Sequence, residues 1–304
     1  MGNMVEGRVA AVTGAGRGVG REHALLLARE GARVVVNDIG VRRDGVPEST
    51  DAAQEVVDEI KARGGSAVAH TADVSTMDGA KSLIDAALEE WDRIDVVVNN
   101  AGILRDRMLV NLTEDDWDSV MRVHLKSTYA TSHYVANVWR DLVKKGERVE
   151  GRIINTTSSS GVYGNIGQSN YGAAKAGIAA FTIITARELQ RYGVTVNAIS
   201  PTALTRMTED IPLAQTKEAE EGQLDPRWVA PLCVWLSSTL SSDVTGRVFA
   251  ASGRFLAVVE GWVRGPTGVA PAEPEEVDAI VRPLLEQARR NSDQRGDEVG
   301  EGVI

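Results

Sequence analysis

The chain holds 304 residues, 43% of them apolar, with a net charge of -10 and a sequence pI near 5.1. That length buries one sizeable core and still permits a single α/β domain. An acidic chain offers no electrostatic footprint for nucleic acid or an anionic membrane, so neither is expected as a partner. The single cysteine, Cys233, excludes an internal disulfide and fits a reducing compartment. The opening MGNMVEGRVAAVTG lacks a signal-peptide apolar region, and no apolar run approaches the ~20 residues of a membrane span. The closing GVI is not a peroxisomal address of the Ser-Lys-Leu type. The expectation is a soluble, cytoplasmic protein.

In chain order, RVAAVT (8–13) predicts a strand, TGAGRGVG (13–20) a turn, and 21–30 a helix that stops at Gly31. A second strand follows at 32–38, a helix at 51–63, a third strand at 66–74, a helix at 76–91 and a fourth strand at 94–102. The pattern from about Thr113 to Lys145 predicts one long helix. Then come a strand at 151–159, a helix over 170–192, a strand at 193–201, a helix near 226–239 and a strand at 246–252. Val- and Ile-rich runs alternating with helices imply βαβ units and a parallel sheet with helices on both faces. The expected fold class is α/β: a Rossmann-like doubly wound parallel sheet of about seven strands, ordered 3-2-1-4-5-6-7, in three layers. Residues 1–262 form the expected catalytic domain, with 203–224 as its substrate loop. Residues 263–304 form an extension, partly disordered, in which Pro274 marks a helix start near 274–290. There is no internal repeat.

A strand, a glycine-rich turn and a helix make a phosphate cradle. Gly14 allows the turn, Gly18 lets backbone approach a pyrophosphate, and Gly20 lets the helix pack on the sheet. Arg17 and Val19 belong to the same turn. The helix N-terminus offers free N–H groups and partial positive charge. Asp38, 18 residues after Gly20 at the end of the second strand, stands where an acid accepts from the adenosine ribose hydroxyls. A carboxylate there repels a 2′-phosphate, so the expected cofactor is NAD. Arg42 and Arg43 are near enough in sequence to soften that preference. Asp73 and Val74 end the third strand, at the adenine side. Asn100, Ala101 and Gly102 end the fourth; for Asn100 a turn role and a cofactor contact both stand. No metal site is expected.

Tyr171 and Lys175 are four apart on a helical pattern and share a face. Ser158, 13 residues before Tyr171, ends the fifth strand. Together they meet the needs of carbonyl–alcohol chemistry. A tyrosine at its usual pKa of about 10 is protonated at neutral pH; a nearby ammonium lowers that pKa, and Lys175, helped by the positive charge of oxidised nicotinamide, can supply this. Ser158 can hydrogen-bond the substrate oxygen.

TGAGRGVG, NNAG (99–102), Ser158 and YGAAK (171–175) resemble the short-chain dehydrogenase/reductase family over about residues 5–260. The resemblance implies a homotetramer or homodimer. It implies Tyr171 as acid/base, Lys175 as binder of the nicotinamide ribose, and Ser158 as holder of the substrate. It also implies cofactor contacts by Tyr171, Lys175 and Pro201, and by Thr205 toward the carboxamide. Two positions depart from the family pattern. His124, in RVHLKS, stands where many members have an asparagine whose backbone carbonyl supports a water relay to the lysine; packing alone is the other reading. Pro201-Thr202 stands where Pro-Gly is common. VVVNDIG (34–40), AAQEVVDEIKARGG (52–65), RVHLKS (122–127) and ISPTALTRMTE (199–209) narrow the resemblance. They match the branch holding the (3R)-hydroxyacyl-CoA dehydrogenase part of peroxisomal multifunctional enzyme type 2 and its bacterial single-domain relatives. That implies a lipid-metabolic substrate, an acyl thioester or a steroid-like secondary alcohol. Leu204, Met207, Ile211 and Leu213 fit a flap over an apolar substrate and equally an ordinary surface helix, with Arg206 and Lys217 as candidates for a CoA group. A non-catalytic dinucleotide sensor or scaffold on the same fold is the alternative of another class.

Overall fold

Beta-branched side chains are stiff at χ1 and pack well on a pleated surface, so Val- and Ile-rich runs favour strands. In the computed structural model, which describes residues 3–41, 44, 46, 51–205, 216–253 and 255–298, these runs form the centre of the molecule. They are β1 (Val9–Thr13), β2 (Arg33–Asn37), β3 (Ser66–His70), β4 (Val96–Asn99), β5 (Arg152–Thr156), β6 (Thr195–Pro201), β7 (Val248–Ala251) and β8 (Leu256–Val259). Their order is β3-β2-β1-β4-β5-β6-β7-β8, parallel throughout except for β8, which runs antiparallel to β7. The expected order therefore holds, and an eighth strand is added at the edge. Ser252 N donates to Phe255 O at 2.9 Å, closing the turn that sends the chain back. This strand escaped the sequence reading because a four-residue edge strand with one open face leaves no helix–strand alternation.

Helices cover both faces. They are α1 (Gly18–Arg29), α2 (Ala52–Ala62), α3 (Met77–Trp91), α4 (Glu114–Met121), α5 (Ser127–Lys144), α6 (Ser159–Val162), α7 (Ser169–Leu189), α8 (Lys217–Glu220) and α9 (Ala230–Ser237). Successive strand residues point to opposite faces. Ala10, Val12, Val34 and Val36 pack with α1, α2 and α9, while Val9, Ala11, Val35 and Val97 pack with α3, α5 and α7. A fully buried Leu or Ile, such as Leu27, Leu83 or Ile153, contributes about 1.5–3 kcal/mol. The switch in strand order lies between β1 and β4, which opens a crevice at their carboxyl ends.

The single long helix expected over 113–145 is corrected. A capping box at Thr113 and Asp116 starts α4, and a π-helical turn, Arg122–Lys126, separates it from α5. A π turn adds one residue to the ring of each hydrogen bond and re-aims the side chains at that point. Here that residue set includes His124.

The described contacts divide the chain into two units, Met1–Val259 and Glu260–Ile304. In the second, a 3-10 turn at Pro274–Glu276 leads into α10 (Val277–Gln287). Among the described residues, no helix is long and apolar enough to cross a membrane.

Candidate active site

The turn after β1 is built by absence of side chains. Gly14 has φ +60°, and a Cβ on it would lie 2.8 Å from Ala101 Cα. A Cβ on Gly20 would lie 2.2 Å from Gly14 O, so this glycine is what lets α1 close on the strand. Gly18 has φ +55° and faces Thr205, whose Cγ2 would be 3.1 Å from an added Cβ. The N-terminus of α1 has no side-chain cap and no acid in its first turn, so its N–H groups stay available to an anion. Gly14, Arg17, Gly18 and Val19 line a cavity of about 540 Å³; Gly20 lies behind them.

The Asp38 carboxylate is held by backbone at the end of β2. Gly16 N donates to Oδ2 at 2.9 Å and Gly40 N to Oδ1 at 2.8 Å. Each oxygen keeps further acceptor capacity, and Asp38 lines the cavity. Arg42, Arg43, Arg206, Met207, Ile211 and Leu213 lie outside the described residues. Lys217 is exposed and pairs with Glu221 at 3.6 Å.

Asp73 and Val74 line the same cavity. Arg122 was missed from sequence: its Nη1 donates to Ser75 Oγ at 2.6 Å and lies 3.2 Å from Asp73 Oδ2. Ser75 N also donates to Asp73 Oδ1 at 2.9 Å, so the carboxylate is held from two sides. No sequence signal marks Arg122, because only the π turn aims it across the crevice.

Asn100, Ala101 and Gly102 line the cavity beside the glycine turn. Of the two readings of Asn100, its side chain serves the turn: Nδ2 donates to Thr13 O at 3.0 Å and Gly14 O at 3.1 Å. Thr13 Oγ1 in turn accepts from the backbone N–H of Asn100 and Ala101. Pro201, Ala203 and Thr205 close the opposite wall.

Tyr171 and Lys175 stand on one face of α7. Asn170, fully buried, donates through Nδ2 to Arg105 O at 3.0 Å and Asp116 O at 3.2 Å, which fixes the register of Tyr171. Lys175 is 2% exposed, and its Nζ donates to Thr156 O at 2.6 Å. That Nζ lies 5.6 Å from the Tyr171 ring centroid. Ser158 caps α6, accepting from Ser160 N at 3.2 Å, and stands near enough to the Tyr171 phenol to pull its pKa down. Tyr171 and Lys175 line the cavity, and Ser158 is not among its lining residues.

Without a cofactor, burial dominates the electrostatics of the pair. Burial pushes the Tyr171 phenol up to about 12, against the pull of the Ser158 hydrogen bond. Burial also pushes the Lys175 ammonium down to about 7. In the protein alone, loss of water raises the phenol and lowers the ammonium, since burial disfavours the charged form of each.

His124 is 1% exposed and lies in the wall of the cavity. Its ring stands edge-on to Tyr171, centroids 5.2 Å apart at 82°. Nε2 lies 2.8 Å from Ile103 O, and a Cβ on Gly102 would lie 2.3 Å from the ring Cε1. Burial, helped by the charge of Lys175, holds the ring down to about 3, so it is neutral near pH 7.

A family profile described as short chain dehydrogenase matches residues 8–216. A hydroxyacyl-CoA dehydrogenase of Mycobacterium tuberculosis is 44% identical over 258 residues, 82% of this chain and 78% of that protein. The peroxisomal multifunctional enzyme type 2 of Drosophila melanogaster is 44% identical over 82% of this chain but only 39% of that longer protein. The crystal structure of a short chain dehydrogenase from Mycobacterium avium superposes with a TM-score of 0.86 at 49% identity, covering 98% of this chain and 99% of the other. The chain belongs to the short-chain dehydrogenase family, oxidoreductases that act on CH–OH groups with a nicotinamide dinucleotide.

Proposed function

We propose that this short-chain dehydrogenase uses NAD and transfers hydride between nicotinamide and C3 of a 3-hydroxyacyl (3-oxoacyl) thioester. The observation that carries the reading is the Ser158–Tyr171–Lys175 group, with Tyr171 and Lys175 in the wall of the cavity that Asp38 lines. The substrate class is supported by relatives named for hydroxyacyl-CoA and 3-oxoacyl chemistry.

The residues fit a dinucleotide. A Cβ at Gly14 or Gly20 would collide with backbone, and the bare N-terminus of α1 suits the pyrophosphate. Asp38 accepts from the ribose hydroxyls, and its charge opposes a 2′-phosphate; that is why NAD is assigned. When bound, the oxidised cofactor supplies the hydride acceptor and a positive charge.

Ser158 donates to the substrate oxygen and orients it. Tyr171, as phenolate, takes the hydroxyl proton during oxidation and returns it during reduction. A phenol at about 12 is a poor base at neutral pH. Lys175 beside the ring, with the positive charge that the oxidised cofactor would bring, favours the phenolate that oxidation needs. Water is kept from the reacting carbon by the apolar wall that includes Ile103 and Ala203.

The proposal includes a homodimer or homotetramer, to be measured by light scattering, and a cytoplasmic setting, which the buried free Cys233 suits. The test is NADH formation on a panel of 3-hydroxyacyl-CoA, steroid alcohols and simple secondary alcohols. Turnover confined to steroids would replace the substrate class. No turnover on any, with NAD still bound, would favour a dinucleotide sensor.

A further inference from the structure

We propose that Arg105 is the residue that selects thioester substrates. Its guanidinium holds the C1 carbonyl oxygen of the acyl chain while Ser158 and Tyr171 hold the oxygen on C3. The inference rests on the 3-hydroxyacyl reading of the site and names the side chain that would enforce it.

Among the described residues, Arg17, Arg105, Arg122 and Lys175 bring positive charge to the cavity wall. Arg122 donates to Ser75 and pairs with Asp73, Lys175 donates to Thr156 O, and Arg17 has an interaction of its own. Arg105 differs. No described residue accepts a hydrogen bond from its guanidinium or pairs with it. Its sequence neighbours are committed elsewhere. Asp106 Oδ2 accepts from Gln168 Nε2 at 2.8 Å, and Arg107 Nε pairs with Asp116 Oδ2 at 2.9 Å. A planar fork of N–H donors matches an oxygen acceptor, and here the protein supplies none.

The backbone that carries this side chain is pinned on both sides. Arg105 O accepts from Asn170 Nδ2 at 3.0 Å, and Arg107 N donates to Gly167 O at 2.8 Å. Asn170 is the residue before Tyr171 on α7, so the guanidinium springs from a point anchored to the catalytic helix. Nε is enclosed by protein and unpaired. The Nη groups of this half-buried side chain are therefore the ones left for a ligand. A donor mounted on fixed backbone loses little freedom on binding.

The ligand atom follows from the chemistry of the substrate class. A 3-hydroxyacyl thioester carries oxygens on C1 and C3. The reacting one, on C3, goes to Ser158 and Tyr171. The other is a carbonyl acceptor, and Arg105 is an unclaimed donor in the same wall as Tyr171. Holding both oxygens fixes which face of C3 meets the nicotinamide. The contact that raises affinity for a thioester thus also sets the handedness at C3. A secondary alcohol without the C1 carbonyl leaves the guanidinium unpaired and gains neither effect.

The test is Arg105→Leu, which removes the donors and keeps an aliphatic stem. Values of kcat and KM are measured on a 3-hydroxyacyl-CoA, on the same acyl group as its N-acetylcysteamine thioester, and on the secondary alcohol of the same chain without the thioester. Both C3 enantiomers are compared, and the Kd for NAD is taken from tryptophan fluorescence. Loss of a hydrogen bond from a charged donor should lower kcat/KM by about 10–100-fold on both thioesters. The ratio of thioester to plain alcohol falls with it and the preference between enantiomers narrows, while Kd stays within about twofold. Arg105→Lys, a charged donor without the fork, recovers part of the loss. Unchanged kcat/KM on both thioesters would overturn the inference. So would a loss on the CoA thioester alone, because the N-acetylcysteamine ester has no phosphate: the guanidinium would then hold a phosphate of CoA. An equal loss on the plain alcohol, or a loss expressed in Kd, would assign Arg105 to the fold or the cofactor instead. Where the plain alcohol is too slow to measure, the enantiomer ratio decides, and an unchanged ratio overturns the inference. If Arg105→Leu does not fold, Arg105→Gln carries the same comparisons. The unaltered enzyme separates the two levels. If it turns over no thioester, the 3-hydroxyacyl reading and this inference fall together; if it does and Arg105→Leu matches it, the inference alone fails.

Discussion

Lys175→Met tests the electrostatics of the site without reference to any substrate. Lys175 is held near 7 in the folded chain by burial, against about 10.4 in an unfolded one. A base whose folded pKa is lowered binds fewer protons folded than unfolded, so its contribution to stability rises with pH. The window runs from about 7, where the folded lysine releases its proton, to about 10.4, where the unfolded one does. Below 7 both forms are charged and the full penalty of a buried ammonium is present. Each pH unit inside the window is worth about 1.4 kcal/mol. Between pH 7 and 9 the unaltered protein therefore gains ~2–3 kcal/mol that Lys175→Met does not. Other groups titrate alike in both proteins and cancel in the difference. The lost hydrogen bond to Thr156 O lowers the variant by a constant amount at every pH. Urea unfolding at fixed chain concentration, at pH 6, 7, 8 and 9, measures the difference curve. A flat curve would refute the depressed lysine, and with it the account of why the tyrosine needs help from a bound positive charge.

Tyr171→Phe is expected to cut kcat by about 10²–10⁴-fold while NAD still binds, read by NADH absorbance and fluorescence titration. Asp38→Asn keeps an acceptor for the ribose but removes the charge. The NAD-over-NADP ratio of kcat/KM should fall by about 10-fold or more, equivalent to ~1.4 kcal/mol. An unchanged ratio would mean that Asp38 does not select the cofactor. Arg122→Gln frees one side of Asp73 and should raise KM for NAD several-fold with kcat intact, the signature of lost ground-state binding. Gly20→Ala places a Cβ against Gly14 O, so a destabilisation of about 1–3 kcal/mol is expected in urea, with cofactor binding lost.

Much of this protein was written locally. Strand runs are short, apolar and bounded by glycines, so β1 to β7 and their order could be read before any coordinates. Gly14, Gly18, Asp38, Ser158, Tyr171 and Lys175 belong to patterns whose spacing reflects a physical need: a turn without side chains, an acid at a strand end, two groups one helical turn apart. The turn at Gly20 was read as helix packing, and the 2.2 Å approach to Gly14 O is that packing in detail.

What tertiary structure alone decided involves partners far apart in sequence or breaks in a regular pattern. The π turn at Arg122–Lys126 has no local signature, because its residues suit an ordinary helix. Yet it carries Arg122, which pairs with Asp73, and His124, whose ring stands against Tyr171. The edge strand β8 forms because β7 offers an open row of backbone groups. Charge state was also beyond the sequence. Tyr171 and Lys175 looked from their spacing like a phenol lowered by an ammonium. In the protein alone, burial raises the phenol and lowers the ammonium, since loss of water disfavours the charged form of each. Spacing along the chain chose the reacting residues; the solvent excluded around them sets the protonation state in which they begin.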